Sequence, residues 1–592
     1  MAEQLPKASV EQLVTEHLDI WVSAIEQKSA SGRGSSKKFS LYGIEKLRQL
    51  ILELAVRGRL VPKIPSAATA IEVFDAALIS KDRLAIERKI RKDKEVYKPH
   101  SEIEYPDHWV TACIGQVAHV LGGKRVPKGH KLSDEPTDHV YLRVTDMKKN
   151  SIDESNLKYI SLDVYEQISK YIINKEDVYV SIAGTIGSTG TIPSHLDGMN
   201  LTENASKLVF RDIVPRYLVL VIASNGTQSQ FNEAVNQMAQ PKLSLTSIKH
   251  TVVPIPPLEE QHRIVDKVDE LMSLCDALDV QTEASLRAHQ TLVESLLGAL
   301  LLPSTNANSP EPSFAKDWQL VAEHFDMLFT TSASIDTLKQ TILQLAVMGK
   351  LVEQDENDEP ASKLLARIAA EKAQLIADKK IKKQLKVDPI GEVVVLPSTW
   401  QQIVVQDFAD IRLGSTPSRA EPSYWSGGIP WVSSGEVAGN IIKDTSEKIT
   451  QVGFTNSSTS VIPKRSLLMA IIGQGKTRGQ TALLGIDACT NQNVAAFVFN
   501  EALVVPEFVW VWAQSKYEAH RGDGRGGAQP ALNGKIVRSF RFPLPPHEEQ
   551  HRIVAKVDEL MVLCDQLKAR LTDAQTIQLH LADSMTQQAL YN

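Results

Sequence analysis

The stretch PIPPLEEQHRIVDKVDELMSLCDAL at 254–278 returns as PLPPHEEQHRIVAKVDELMVLCDQL at 543–567, with 20 of 25 positions identical at a constant offset of 289. A match of that length makes the chain one long unit written twice. Pro254, Pro256 and Pro257 exclude a helix interior but suit the residues just ahead of a first helical turn. Glu259 and Glu260 then fall where the positive end of a helix dipole favours carboxylates. Beyond them Ile264, Val268, Leu271, Cys275 and Leu278 recur at spacings of 4, 3, 4 and 3, the seam of a helix that packs on another helix. Ile553, Val557, Leu560, Cys564 and Leu567 repeat that seam, and Leu571 extends it.

Working outward, each repeat has the same plan. The segment IEKLRQLILELAVRGRLV (44–61) matches IDTLKQTILQLAVMGKLV (335–352) at 11 of 18 positions, now at offset 291. Both read as helices, with Gly58 and Gly349 placed as C-terminal caps. Upstream, QLVTEHLDI (12–20) matches QLVAEHFDM (319–327) at offset 307, so the first copy holds about 16 extra residues between these motifs, where SASGRGSSKKFS (29–40) reads as a flexible linker. The residues 11–27 are expected to be helical. A second helical stretch is expected over 70–94 and again over 361–386, each ending in a basic run, ERKIRKDK and DKKIKKQLK, whose default reading is a solvated face.

After Trp109 and after Trp400 the texture changes to about 140 residues of short β-branched runs broken by Gly, Pro, Asn and Ser. These interiors diverge: VYLRVTDM (140–147) answers only loosely to PWVSSGEV (430–437). They reconverge at AQPKLSLTSIKHTVVPIPP (239–257) and AQPALNGKIVRSFRFPLPP (528–546). The Pro-, Asn- and Ser-rich run at 301–313 joins the two copies. The segmentation is therefore an N-terminal helical region (1–100), a first variable domain (101–257), a central helical spacer (258–395), a second variable domain (396–546) and a C-terminal helix (547–592). The fold class is α+β, internally duplicated: two mixed α/β domains separated by long helices that pair antiparallel like a coiled coil.

With 592 residues the chain exceeds a single core, while 43% hydrophobic and 23% charged residues mark an ordinary water-soluble composition. No apolar run reaches membrane-span length, and the N-terminal residues lack a signal-peptide layout, so a cytoplasmic location is expected. Cys113, Cys275, Cys489 and Cys564 are few and read as buried thiols, and no Cys or His pair has zinc spacing. A net charge of −6 does not advertise nucleic-acid binding, but 396–546 holds 14 Lys/Arg against 11 Asp/Glu. Local patches, not the total, decide phosphate contact.

The paired PxPPxxEQxRIV motifs, each closing a divergent domain, resemble the specificity subunit of type I restriction–modification enzymes. So do the entries from Trp109 to Gly123 and Trp400 to Gly414, the glycine turns IGSTG (186–190) and IGQGKTRG (472–479), and the two AQP motifs. The resemblance covers nearly the whole chain and is similar to the longer subfamily. It implies two target recognition domains, each reading half of a bipartite, asymmetric site in double-stranded DNA. It also implies paired helices that set the spacer and dock two modification subunits. Those subunits carry S-adenosylmethionine and methylate adenine; restriction subunits, using ATP and Mg, join to translocate and cleave. The specificity subunit itself performs no chemistry, holds no cofactor or metal and meets no membrane.

Polar residues in the broken loops are the candidates for DNA contact, because Arg suits guanine, Gln suits adenine, and Lys and Ser suit phosphate. They are Lys124, Arg125, Lys128 and Arg143 in the first domain, and Ser415, Thr416, Arg419, Gln474, Lys476, Arg478, Arg521 and Arg525 in the second. For each, the plainer reading is a solvated loop residue. Trp425 and Trp431 offer faces for stacking, with a core role the plainer reading. Two other functions compete. AIIGQGKT (470–477) fits a relaxed phosphate-binding loop, which requires a helix directly after it. The duplicated frame also suits a protein scaffold that binds two different protein ligands. No adenine-methyltransferase motif such as Asn-Pro-Pro-aromatic is present.

Overall fold

The computed structural model describes residues 17–27, 39–65, 68–88, 90–91, 95–100, 103–148, 150–236, 241–301, 313–439, 441–473, 476–522 and 531–591. It is 49% helical and 16% strand, and it divides into two compact units, Met1–Ser285 with Ala574–Asn592, and Leu286–Asp573. The seam residues lie on two long helices, Leu258–Leu301 and His547–Tyr591. The first begins in the first unit and ends in the second; the second does the reverse. At about 1.5 Å per residue each is roughly 65 Å long.

Each unit rebuilds the same core from its own copy. The expected cap helices span Tyr42–Val56 and Ser332–Val347, and the residues that close them, Gly58 and Gly349, have φ of 67° and 69°. Only glycine adopts that conformation without strain. Space forbids a side chain there too, since a Cβ on Gly58 would lie 2.5 Å from Pro106 Cγ and one on Gly349 would lie 2.5 Å from Pro397 Cγ. These helices bind the long ones through equivalent ion pairs, Arg48 to Asp276 at 2.7 Å and Lys339 to Asp565. In the first unit Tyr42 Oη donates to Asp583 at 2.8 Å and Lys46 pairs with the same carboxylate, which secures the end of the second long helix.

The variable domains are closed by their own ends. Val110–Cys113 pairs antiparallel with Val252–Ile255, and Gln401–Val404 pairs in the same way with Arg541–Leu544. Between the clasps each domain holds an antiparallel sheet of one order: His119–Gly122, Ala205–Val209, Val178–Ser181 and Thr189–Thr191 in the first; Asp410–Leu413, Val494–Val498, Leu467–Ala470 and Thr481–Leu484 in the second. The second domain adds Ile441–Ile442 alongside Thr481–Leu484 in parallel. The small three-stranded sheets differ more. Tyr141–Leu142, Met199–Leu201 and Ile172–Ile173 form one, whereas in the other the long bulged strand Trp425–Val432 sits between Glu447–Ile449 and Cys489–Thr490.

Several expectations need correction. The helix expected over 11–27 is, among the described residues, Leu18–Ser23; Glu26–Gln27 instead pairs as a short strand with Phe39–Ser40. The helices expected over 70–94 and 361–386 are Ala70–Glu87 and Ala361–Ala377. The second stops where Lys379 adopts φ 58°, so DKKIKKQLK lies beyond the helix. The phosphate-loop reading fails on topology: the strand Leu467–Ala470 is followed, after the turn, by another strand, Thr481–Leu484. Among the described residues no helix N-terminus stands there to hold phosphate. All four cysteines are free and buried. No helix among the described residues is long and apolar enough to cross a membrane.

Candidate nucleic-acid interface

The closing motif is a joint between each long helix and its variable domain. Glu260 and Glu549 are buried, and each accepts a hydrogen bond from the indole of the entry tryptophan: Trp109 Nε1 to Glu260 Oε1 at 3.2 Å, Trp400 Nε1 to Glu549 Oε2 at 2.9 Å. Burial pushes the Glu549 carboxyl above its ordinary value, against the bonds from Trp400 and Gln354. Gln261 and Gln550 have no exposed surface. Gln261 accepts from Val214 N at 2.9 Å and donates to Pro256 O at 2.9 Å; Gln550 accepts from Val505 N at 2.8 Å and donates to Pro545 O at 3.1 Å. A further pair, Lys81 and Lys372, donates to the carbonyls of Gly115 and Gln406 at the ends of equivalent short helices. The helix-dipole reading of the acidic pair thus omitted what Glu260 does: it fixes the domain on its helix.

The seam residues Ile264, Val268, Leu271 and Cys275, with Ile553, Val557 and Cys564, are buried, and Leu278, Leu560 and Leu567 are half-buried. They anchor the N-terminal part of each helix, 264–278 in the first unit and 553–567 in the second. The apolar residues presented outward on these helices are others, including the equivalent pair Leu274 and Leu563, each about half exposed at 50% and 54%.

In each domain two loops run side by side. A Cβ on Gly123 would meet Thr202 O at 2.0 Å, and one on Gly414 would meet Thr490 O at 2.0 Å, so glycine alone permits the approach in both copies. The next residue is tied by an aromatic side chain in each: Tyr141 Oη donates to Lys124 O at 2.8 Å, and Trp431 Nε1 donates to Ser415 O at 3.1 Å. Burial pushes the Tyr141 phenol up to about 12, keeping it a donor. Then comes a rim pair. Arg125 Nε donates to Glu203 Oε1 at 2.6 Å, and at the equivalent positions Thr416 Oγ1 donates to Gln492 Oε1. Partial burial would raise the Glu203 carboxyl, but Arg125 and Thr202 outweigh it and hold the group below its ordinary value.

The remaining candidates sort by their partners. Lys124 lies over the Tyr171 ring at 5.7 Å, and Lys128 is exposed. Arg143 is committed to the fold, gripping Asp146 at 2.7 Å and donating to Asn156 O at 2.6 Å. Arg419 stacks over Trp425 at 3.8 Å and forks onto Glu447. Trp425 in turn meets the core residue Trp431 edge-on at 5.2 Å. Tyr517 Oη brings a second group together: it donates to Lys476 O at 2.6 Å and accepts from Arg521 Nη1 at 3.0 Å, beside the turn that carries Arg478. Gln474 and Arg525 lie outside the described residues. Glu203 and Gln492 escaped the reading of the sequence, although their constant offset of 289 marks them as equivalent positions with different chemistry.

Known proteins match this arrangement. The family model described as the type I restriction modification DNA specificity domain matches residues 106–288 and 397–574, the two copies of the unit, and the chain belongs to that family. The specificity subunit of the Escherichia coli type I restriction enzyme EcoAI is 36% identical across 98% of this chain and 100% of its own length. The corresponding EcoEI subunit, also from Escherichia coli, is 32% identical over the same shares. A solved specificity subunit from Thermoanaerobacter tengcongensis aligns over 82% of this chain and 97% of its own at 17% identity, with a TM-score of 0.39.

Proposed function

We propose that this chain is the DNA sequence-specificity subunit of a type I restriction–modification system and that its two variable domains read the two halves of a bipartite, asymmetric site. The observation that carries the reading is the contrast within each unit. The joint repeats residue for residue, with Trp, Glu, Gln, Lys and Gly at matching positions, while the rim of each domain keeps its geometry and changes its hydrogen-bonding groups. A scaffold for two unlike half-sites requires that combination. The long helices provide the spacer, and Leu274 and Leu563 on their outward faces suit equivalent contacts with two modification subunits. In this reading S-adenosylmethionine is held by the modification subunits, ATP and Mg by the restriction subunits, and this chain contributes recognition without catalysis. Lys124, Lys128, Lys476, Arg478 and Arg521 supply phosphate contacts.

The test is co-expression with the methyltransferase encoded beside it, followed by single-molecule sequencing for N6-methyladenine. One bipartite methylated motif is the expected result, with complex formation on DNA that weakens steeply as salt rises. A complex that binds DNA without a preferred motif, or with no salt dependence, overturns the reading in favour of a protein scaffold.

A further inference from the structure

The rim pair carries a more specific assignment, which rests on the recognition role proposed above. We propose that Arg125 reads a guanine in one half-site and that Gln492 reads an adenine in the other, each positioned by the residue facing it across the two loops. In the first domain Glu203, whose other oxygen is met by the hydroxyls of Tyr141 and Thr202, takes only the Nε of Arg125, and the two Nη groups have no partner among the described residues. The Arg125 side chain is 80% exposed. A guanidinium tethered through Nε offers two parallel donors, the pattern that matches the O6 and N7 acceptors of guanine in the major groove. In the second domain the tether comes from the other loop. The Thr416 hydroxyl bonds Gln492 Oε1, and Gln492 Nε2 is without a partner among the described residues. An exposed carboxamide held in that way keeps both N–H donors of Nε2 and one acceptor lone pair on Oε1, so one N–H can meet adenine N7 while the oxygen accepts from N6.

The reading position has therefore moved from one loop to the other between the copies, while the contact between the loops is retained. Arg143 and Arg419 are poorer candidates, because the guanidinium of each is already engaged, that of Arg143 by Asp146 and the Asn156 carbonyl and that of Arg419 by Glu447 and the Trp425 ring. The close approach at Gly123 and Gly414, and the aromatic bonds to Lys124 O and Ser415 O, fix the loops that carry the pair.

The experiment uses the full chain in complex with its modification partner, comparing wild type with Arg125→Gln and Gln492→Ala. Both positions are exposed, so neither variant removes core contacts. The methylated motif is read first, and methylation rates are then measured on duplexes substituted at each motif position. Arg125→Gln should lose about 10- to 100-fold of discrimination at one guanine in one half-site, with the other half-site unchanged. Gln492→Ala should do the same at one adenine in the opposite half-site. Glu203→Ala, which frees Arg125 without removing it, should relax the same guanine as Arg125→Gln while Glu203→Gln retains it. A wild-type bipartite motif that stays unchanged in both variants overturns this assignment alone, as does relaxation at the wrong base or in the same half. A wild-type complex with no bipartite motif overturns the recognition role itself.

Discussion

Replacing Gln550 with Met should detach the second recognition domain from its helix energetically while leaving its shape in place. The side chain is fully buried and its carboxamide serves two backbone groups: Val505 N–H, just ahead of the helix Pro506–Ser515, and Pro545 C=O, in the turn that launches the second long helix. Methionine conserves volume, so the cavity contribution is small. What remains is the loss of two hydrogen bonds that leaves a donor and an acceptor buried without partners, at about 1–3 kcal/mol each. A destabilisation of roughly 2–6 kcal/mol is therefore expected for the second unit. Amide hydrogen exchange of the intact chain is the assay, because it reports each unit separately. The Val505 amide should lose protection strongly, whereas Val214, which meets the equivalent Gln261 in the first unit, should keep it. Gln261→Met should give the mirror result. A change below about 0.5 kcal/mol at Val505, or an equal loss at both amides, would refute the reasoning.

Three more outcomes follow from the structure. His520 is buried, stacked on Phe540 at 4.1 Å, and burial pushes its pKa down to about 3. The unfolded chain takes up a proton below about 6.5 that the folded chain refuses, so stability is unaffected above that pH and falls as pH drops, the loss reaching about 3 kcal/mol by pH 4.5. His520→Leu should flatten the pH dependence of unfolding of the second unit between pH 6.5 and 4.5, and an unchanged slope would count against it. Gly349→Ala, with φ at 69° and a Cβ 2.5 Å from Pro397, should cost more than the roughly 1–2 kcal/mol of the backbone conformation alone, whereas Gly129→Ala, with φ at 98° and open space around it, should cost only that; chemical denaturation compares the two. Leu274→Asp and Leu563→Asp should leave unfolding unchanged and weaken assembly with the modification subunit, measured by analytical ultracentrifugation.

The sequence by itself determined the duplication, the two long helices and their buried seams, and the glycine caps at 58 and 349. All of these are periodic or local: a 3.6-residue pattern, a proline stop, a glycine at a helix end, or a repeated motif, each legible within a few turns of chain. Helix ends were less legible, since the stop at Lys379 is a backbone conformation and leaves no mark in the apolar pattern. The turn at 470–477 resembled a phosphate loop because the feature that separates the two, a helix or a strand afterwards, lies outside the motif. Tertiary structure alone decided which polar residues are already occupied. Asp146 engages Arg143 and Glu447 engages Arg419, two arginines that in sequence read either as DNA contacts or as solvated loop residues. It alone brought Arg125 to Glu203 and Thr416 to Gln492, across 78 and 76 residues of chain. The physical reason is that hydrogen-bond partnership depends on distance and direction between groups remote in sequence, and spacing along the chain does not encode either.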